Sequence, residues 1–277
     1  MDEVRRPEDN ELLGYVGESA RGWNALTVFH GVLGTRAEKE SAIALVRERG
    51  LSSLADRWHY RAGPTDAWQV VVPVEAQPGR VRIALDYYSM PGVPTAVVTA
   101  EDLAARAELT LDEPAPVVLD ERVERAVSTY EVRCEVLACD PELADTAAFC
   151  EYYGFSLDQS ANTILVASRK VEPARYAVCV VLGTTRLDVN KKVSELLGVK
   201  RLSFADAEVT QELTGMMIGG VTAIGIDDLP VYVDSAVMLQ PQVVMGGGNR
   251  SSKLLLAPRE LTKLPNVQVV DGLAHPR

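Results

Sequence analysis

Apolar and polar positions alternate along this chain with a period that changes every ten to fifteen residues, the pattern of short strands and helices in mixed order. In the first hundred residues Thr35-x-x-Glu38 has capping-box spacing. Ile43, Leu45 and Val46 follow, then Gly50, predicting a short amphipathic helix. Strand-like runs come next at residues 68–74, 81–85 and 96–99, separated by the turn formers Gln77-Pro78-Gly79 and Pro91-Gly92-Val93-Pro94. This region reads as a small α+β unit.

The stretch 111–118, LDEPAPVV, joins two prolines and two acids among poor helix formers, so the expected domain boundary lies near residue 116. Beyond it a helix is predicted over 121–129 and a half-buried strand over 130–139, where Val132, Cys134, Val136 and Ala138 alternate with other residues. Asp140-Pro141 supplies an N-cap and a first-turn proline for a helix over 141–153 that stops at Gly154. Apolar strands are expected at 163–167 and 176–182. A capped helix at 188–198 places Val193, Leu196 and Leu197 on one stripe, and a further helix at 206–213 ends at Thr214-Gly215. The fold class implied is α/β of the α+β kind: a mixed, curved sheet with interleaved helices, not a doubly wound parallel one.

Composition narrows this little: 47% hydrophobic and 24% charged residues are ordinary for a globular protein. No run approaches eighteen uncharged apolar residues and the N-terminus lacks a signal-peptide core, so no membrane span is expected and a cytoplasmic location is. Charge is more informative. Acidic side chains outnumber basic ones 39 to 28, net charge -11, which argues against general DNA binding but leaves room for a local basic groove holding one end of a nucleic acid. Cys134, Cys139, Cys150 and Cys179 form no CxxC pair and His30, His59 and His275 are scattered, so buried thiols are expected, with no metal and no cofactor.

Candidate chemistry lies in two glycine-bearing loops, 214–225 and 245–251. Glycine clusters at strand ends mark either tight turns and bulges or close approach of the backbone to a ligand, and exposed N–H groups there suit an anion or a developing oxyanion. Neither loop fits GxxxxGK[ST] or GxGxxG, and the chain has no GxSxG or HExxH.

From about residue 120 to the end the chain resembles the YbaK / prolyl-tRNA editing-domain family. The resemblance rests on the strand at Asn162-Thr163-Ile164-Leu165-Val166, the helix at Asp188-Val189-Asn190-Lys191-Lys192 and the loop from Thr214-Gly215 through Gly219-Gly220-Val221 to Gly225. Val231-Tyr232-Val233-Asp234 and Gly246-Gly247-Gly248-Asn249-Arg250 complete it. It implies a barrel-like domain whose shallow pocket takes the 3′ end of an aminoacyl-tRNA between the two loops. It also implies hydrolysis of the ester without a protein nucleophile: loop N–H groups polarise the carbonyl while a positioned water attacks, helped by the terminal ribose hydroxyl. On this basis Gly219, Gly220, Thr222, Gly247 and Gly248 are the expected catalytic positions, and Asn162, Thr163, Thr214, Asp234, Arg250 and Ser251 the expected substrate-binding ones. Two positions depart from the family pattern. Asn162 or Ala161 stands where members carry a lysine, and Ala223 where the first loop usually has proline.

Each of these residues has a structural reading as well. Asn162, Thr214, Thr222 and Asp234 equally suit strand entrances, turns and caps, and Arg250 a loop cation. Arg169, Lys170, Arg175 and Arg186 form either a basic rim or a solvated face, Lys170 lying at the far end of the strand from Asn162. Lys191 and Lys192 read as helix-surface lysines. Met216 and Met217 suit either core filling or an apolar aminoacyl group. Trp58, Tyr60, Trp68, Tyr87 and Tyr88 read as core ahead of base-stacking residues. The two functional readings that follow are an aminoacyl-tRNA deacylase and a non-catalytic binder of aminoacyl-tRNA or a small aminoacyl ligand. The first domain is expected to serve tRNA, a protein partner or dimerisation.

Overall fold

The computed structural model describes residues 1–85 and 92–277; Tyr87, Tyr88 and Pro91 lie outside the described residues. The chain divides into two compact units, Met1–Pro116 and Val117–Arg277. In the first, strands β1 (Asp2–Arg5), β2 (Leu12–Ser19), β3 (Gly22–Leu26) and β4 (Val32–Arg36) precede helix α1 (Lys39–Arg49). Then come β5 (Trp58–Arg61), β6 (Gln69–Gln77), β7 (Arg80–Ala84), β8 (Thr95–Thr99), helix α2 (Ala100–Ala105) and β9 (Glu108–Thr110). They form a nine-stranded sheet in the order β1-β2-β3-β4-β9-β5-β6-β7-β8, antiparallel except where β4 meets β9. Phe29, Val46, Trp58 and Ile83 are fully buried in its core, so Trp58 is a packing residue. The capping box expected at Thr35 does not form. Thr35 lies in β4 with its hydroxyl on Asn24 Oδ1 at 2.7 Å, while α1 starts at Glu38 without a side-chain cap. A capping box closes instead between Thr99 and Asp102 at the start of α2.

The second unit opens with helix α3 (Glu121–Thr129), capped by Asp120 and burying Val123 and Ala126, followed by β10 (Cys134–Ala138). The predicted helix 141–153 is broken. Pro141–Leu143 is a single 3-10 turn, and α4 (Thr146–Tyr153) begins afresh after Asp145 and ends at Gly154 with φ 79°. Next come β11 (Ala161–Ser168), β12 (Tyr176–Leu182) and β13 (Thr185–Leu187). The helix expected at 188–198 is a π-helical turn, Val189–Val193, running into α5 (Ser194–Leu197), with Asp188 capping it. The chain continues through β14 (Leu202–Phe204), α6 (Ala207–Thr214), β15 (Val231–Asp234), α7 (Ser235–Met238), β16 (Val243–Gly246), β17 (Ser252–Leu256), β18 (Val267–Val270) and β19 (Ala274–Pro276).

β12 organises this unit. Its sequence YAVCVVL is apolar throughout because both faces are covered: Val178, Val180 and Leu182 join one core layer, Ala177, Cys179 and Val181 the other. It pairs antiparallel with β11 and parallel with β15 in a mixed sheet ordered β14-β11-β12-β15-β18. A second, antiparallel sheet, β10-β17-β16, joins the first through a parallel bridge between Ser160 and Val244, which curls the two into a half-barrel. The expected mixed, curved fold is therefore observed. All four cysteines are free thiols. No helix of the described residues is long and apolar enough to cross a membrane.

Candidate active site

The Ser160–Val244 bridge sets the start of β11 beside the end of β16. The chain between α6 and β15 folds over that junction, and α4 closes it from the other side. They enclose a cavity of about 250 Å³ lined by residues 144–146 and Phe149, 160–164, Ile218, Gly219, Val221, 244–246 and Lys253.

Two glycine loops meet at its rim by direct backbone contact. A Cβ on Gly220 would lie 2.3 Å from the Asn249 carbonyl oxygen, and one on Gly246 2.2 Å from that of Gly220, so neither position accepts a side chain. Within the loops most N–H groups are already engaged. Gly220 donates to Met217 O at 2.9 Å, Gly248 to Gly220 O at 2.8 Å and Gly247 to Ser252 O at 3.2 Å. Among the described residues, Ile218, Gly219 and Val221 are the cavity-lining residues of the 214–225 loop whose N–H groups have no acceptor within the protein, and Met217 O, on the Ile218 peptide, accepts from Gly220 N. Each belongs to a peptide group whose carbonyl is held. Ile218 O accepts from Arg250 Nη1 at 2.8 Å and Gly220 O from the Gly248 N–H. A donor on the carbonyl fixes the plane of the peptide and polarises its N–H.

Arg250 is thus a brace. Its Nε and Nη2 donate to Pro141 O at 2.9 and 2.7 Å, and Nη1 also lies 3.5 Å from the exposed carboxylate of Asp145. Expected as a substrate cation, its guanidinium is already spent on the protein's own carbonyls.

The cation that does line the cavity is Lys253, the second residue of β17. Its Nζ donates to Ala144 O at 2.6 Å and Gly219 O at 2.7 Å, and sits 5.2 Å from the centre of the Phe149 ring. The residue is 6% exposed and in no ion pair among the described residues. Burial lowers its pKa from the usual lysine value, with neighbouring Arg250 adding to the effect. An ammonium has three donors, of which two are used. Cys139 and Cys150 stand nearby, and burial raises both thiols, so neither is a thiolate nucleophile. Opposite, the Thr146 hydroxyl donates to Asn162 Oδ1 at 2.6 Å, and the Asn162 amide NH₂ has no internal acceptor.

Of the residues expected from sequence, Asn162, Thr163 and Gly219 line the cavity. Thr163 Oγ1 is buried without a partner. Gly220, Gly247 and Gly248 shape the loops, their N–H groups committed as described. Thr214 is buried with its hydroxyl on Thr210 O at 2.6 Å, and Thr222, fully buried, accepts from Ile224 N at 3.5 Å. Asp234 caps α7 through Ala236 N at 2.8 Å and receives Ala274 N at 2.7 Å, so both its oxygens serve the fold. Ser251 is exposed and bonds Asn249. None of these last four lines the cavity. Lys253, Thr146 and Asp145 were not singled out by sequence reasoning. The available signal for Lys253 was a lone charge at the head of the apolar run Leu254-Leu255-Leu256 that precedes Ala257-Pro258. Among the described residues no cluster of three or more His, Cys, Asp or Glu is placed to hold a metal.

This half-barrel with a glycine-rimmed, lysine-floored cavity has known relatives. Residues 140–264 match the family described as the aminoacyl-tRNA editing domain, and the chain belongs to it. It is 30% identical over 117 residues to the uncharacterized protein YwhH of Bacillus subtilis, an overlap covering 39% of this chain and 73% of YwhH. It is 25% identical over 122 residues to the "Putative Cys-tRNA(Pro)/Cys-tRNA(Cys) deacylase EbsC" of Enterococcus faecalis, covering 44% of this chain and 72% of that protein. The crystal structure of hypothetical protein APE2540 superposes with a TM-score of 0.50 at 26% identity, over 56% of this chain and all of that one. The C-terminal unit is therefore of the tRNA-editing type.

Proposed function

We propose that the C-terminal unit is a hydrolase that removes the amino acid from mischarged aminoacyl-tRNA in the cytoplasm, and that chemistry takes place in the cavity floored by Lys253. The ester carbonyl oxygen accepts from the Gly219 and Val221 N–H groups. A water attacks the carbonyl carbon, the bond to the ribose oxygen breaks, that oxygen takes a proton, and the amino acid leaves as its carboxylate. Two fixed backbone donors plus a buried ammonium stabilise the oxyanion without any side-chain nucleophile. The observation that carries the reading is the run of unengaged N–H groups on the cavity wall, Ile218, Gly219 and Val221, each on a peptide anchored through its carbonyl.

At about 250 Å³ the cavity is smaller than the usual small-molecule site and suits an aminoacyl group with its ester, not a whole nucleotide. Ile218, half-exposed on its wall, supplies apolar contact for a small side chain. The binding-only alternative drew its support from Asn162 in place of a lysine; Lys253 supplies a cation to the same cavity from another strand, which favours catalysis. The N-terminal unit is assigned in this reading to binding tRNA or a protein partner, a second copy included. Incubating the purified full chain with a panel of mischarged tRNAs tests the proposal: release of at least one small amino acid above buffer is expected, and no release from any sinks it.

A further inference from the structure

At the other end of β11 from Asn162, the β11–β12 turn and residues 198–201 surround a second cavity of about 370 Å³. Arg169, Lys170, Arg175, Lys200 and Arg201 line it together with Val171, Gly198 and Val199, so five of its eight residues are cations and none is acidic. The surrounding segment 169–201 holds eight basic and three acidic side chains in a chain whose overall balance is 28 to 39. All five cations are exposed, and among the described residues none takes part in an ion pair.

The cluster is assembled by backbone. Arg169 N donates to Arg201 O at 2.9 Å, Ser168 N to Arg175 O at 2.8 Å, and Arg175 N to Ser168 Oγ at 2.8 Å. Among the described residues, only Arg175 of the five spends a side-chain donor internally, on Leu197 O at 3.0 Å. Like charges so gathered repel one another and return nothing to the fold. An acidic protein that keeps them together has a use for a polyanion there.

We propose that this cleft docks the phosphodiester backbone of RNA, holding the body of a tRNA whose 3′ end enters the Lys253 cavity; in this it rests on the editing reading above. Long exposed cations spread around an open cleft suit a row of phosphates and gain from counterion release, whereas a single small anion is held by buried, convergent donors. No aromatic residue lines the cleft, so the contact reads backbone, not bases. Seven extended residues from Asn162 to Arg169 separate the two sites by about 23 Å.

The test is fluorescence anisotropy of the full chain with a blunt-ended RNA duplex, which has no single-stranded 3′ end to fill the editing cavity, across a salt series. The triple variant Lys170→Gln, Lys200→Gln, Arg201→Gln should bind about tenfold or more weaker at low salt, with the slope of log Kd against log salt reduced by about 2. All three side chains are exposed, so thermal unfolding should be unchanged, as a parallel melt checks. Equal affinity and slope for variant and wild type overturn the proposal. So does competition by inorganic phosphate as effective as RNA at equal phosphate concentration, which would make this a small-anion site, or variant-sensitive binding to anionic phospholipid vesicles without duplex binding. Wild type that binds duplex through the cleft but hydrolyses no aminoacyl-tRNA refutes the editing reading and leaves the cleft. Intact hydrolysis with unaltered duplex binding in the variant does the reverse.

Discussion

Arg250 Nη1 donates to the Ile218 carbonyl at 2.8 Å, and the N–H of that same peptide, on Gly219, is among the unengaged donors on the cavity wall. In the proposed reaction the arginine is therefore a positioning residue that acts through a peptide plane. Its other donors reach Pro141 O, so one planar guanidinium spans two segments 77 residues apart in sequence, counted from 141 to 218.

Replacing Arg250 by Lys keeps the charge but cannot span both carbonyls. Hydrolysis should fall about tenfold or more, chiefly in kcat, because misplacing one oxyanion donor weakens transition-state binding more than ground-state binding. Single-turnover rates against KM would show it. A loss confined to KM would mean that Arg250 contacts substrate.

Lys253→Met removes the buried ammonium and leaves Ala144 O and Gly219 O without their donor. Activity should drop about a hundredfold, the scale of losing one preorganised oxyanion donor. Thermal unfolding should move little by comparison, since an unpaired buried cation costs desolvation that its two carbonyl bonds only partly offset. Melting curves and deacylation rates on the same preparation separate the two effects.

The pH dependence follows from the lowered pKa of Lys253. The ammonium exists below that pKa, so activity that needs it is present at lower pH and lost as pH rises through a value below the ordinary 10.5. Stability moves the opposite way. Between the folded pKa and 10.5 the unfolded chain binds the extra proton, so the stability of wild type relative to Lys253→Met rises with pH across that window. A pH–rate profile alongside denaturant unfolding of both proteins checks both signs; an alkaline limb unmoved by the substitution excludes Lys253 as its origin.

Much of this fold was legible because local chemistry specified it. The two-sided burial of β12 is written in YAVCVVL, and the strand occupies the predicted 176–182; Gly154 and Gly215 end their helices in the left-handed region. The site was legible only in outline. Glycine clusters located the loops, but which N–H groups stay unengaged depends on partners such as Gly220 O and Ser252 O that only tertiary contact supplies. Lys253 was invisible for a related reason. Strand alternation says that it faces away from Leu254, yet not that this face is covered by Phe149 and the 218–221 loop. Strands β1 to β4 escaped because their pairing partners, not a strong alternating pattern, define them.

Asn162→Lys introduces the lysine that the family resemblance implies at 161 or 162, yet here a gain is not expected. It adds a second cation to the cavity that already holds Lys253 and removes the Thr146 to Asn162 bond. Hydrolysis should fall and stability drop by about 1–2 kcal/mol. Faster hydrolysis would show that Lys253 does not serve as the site's cation.

Asp234→Ala deletes two backbone bonds, to Ala236 N and Ala274 N, from a buried carboxylate outside the cavity. A loss of about 3 kcal/mol in unfolding free energy is expected. The folded variant should keep its kcat/KM at a temperature well below its melting point, and a selective kinetic defect there would place Asp234 in the reaction after all.

The contact between the two glycine loops has an evolutionary corollary. Gly220 and Gly246 meet main chain to main chain, and Arg250 and Lys253 hold the Ile218 and Gly219 carbonyls, so the recorded anchors of this loop are its own backbone atoms. Met217 and Ile218, which project from that loop with about half their surface free, bear no part of its anchoring through their side chains. They can drift in size and polarity while the donors stay put. Under the proposed function, a lineage could exchange one rejected amino acid for another at Ile218, which lines the cavity, and keep the backbone donors in place.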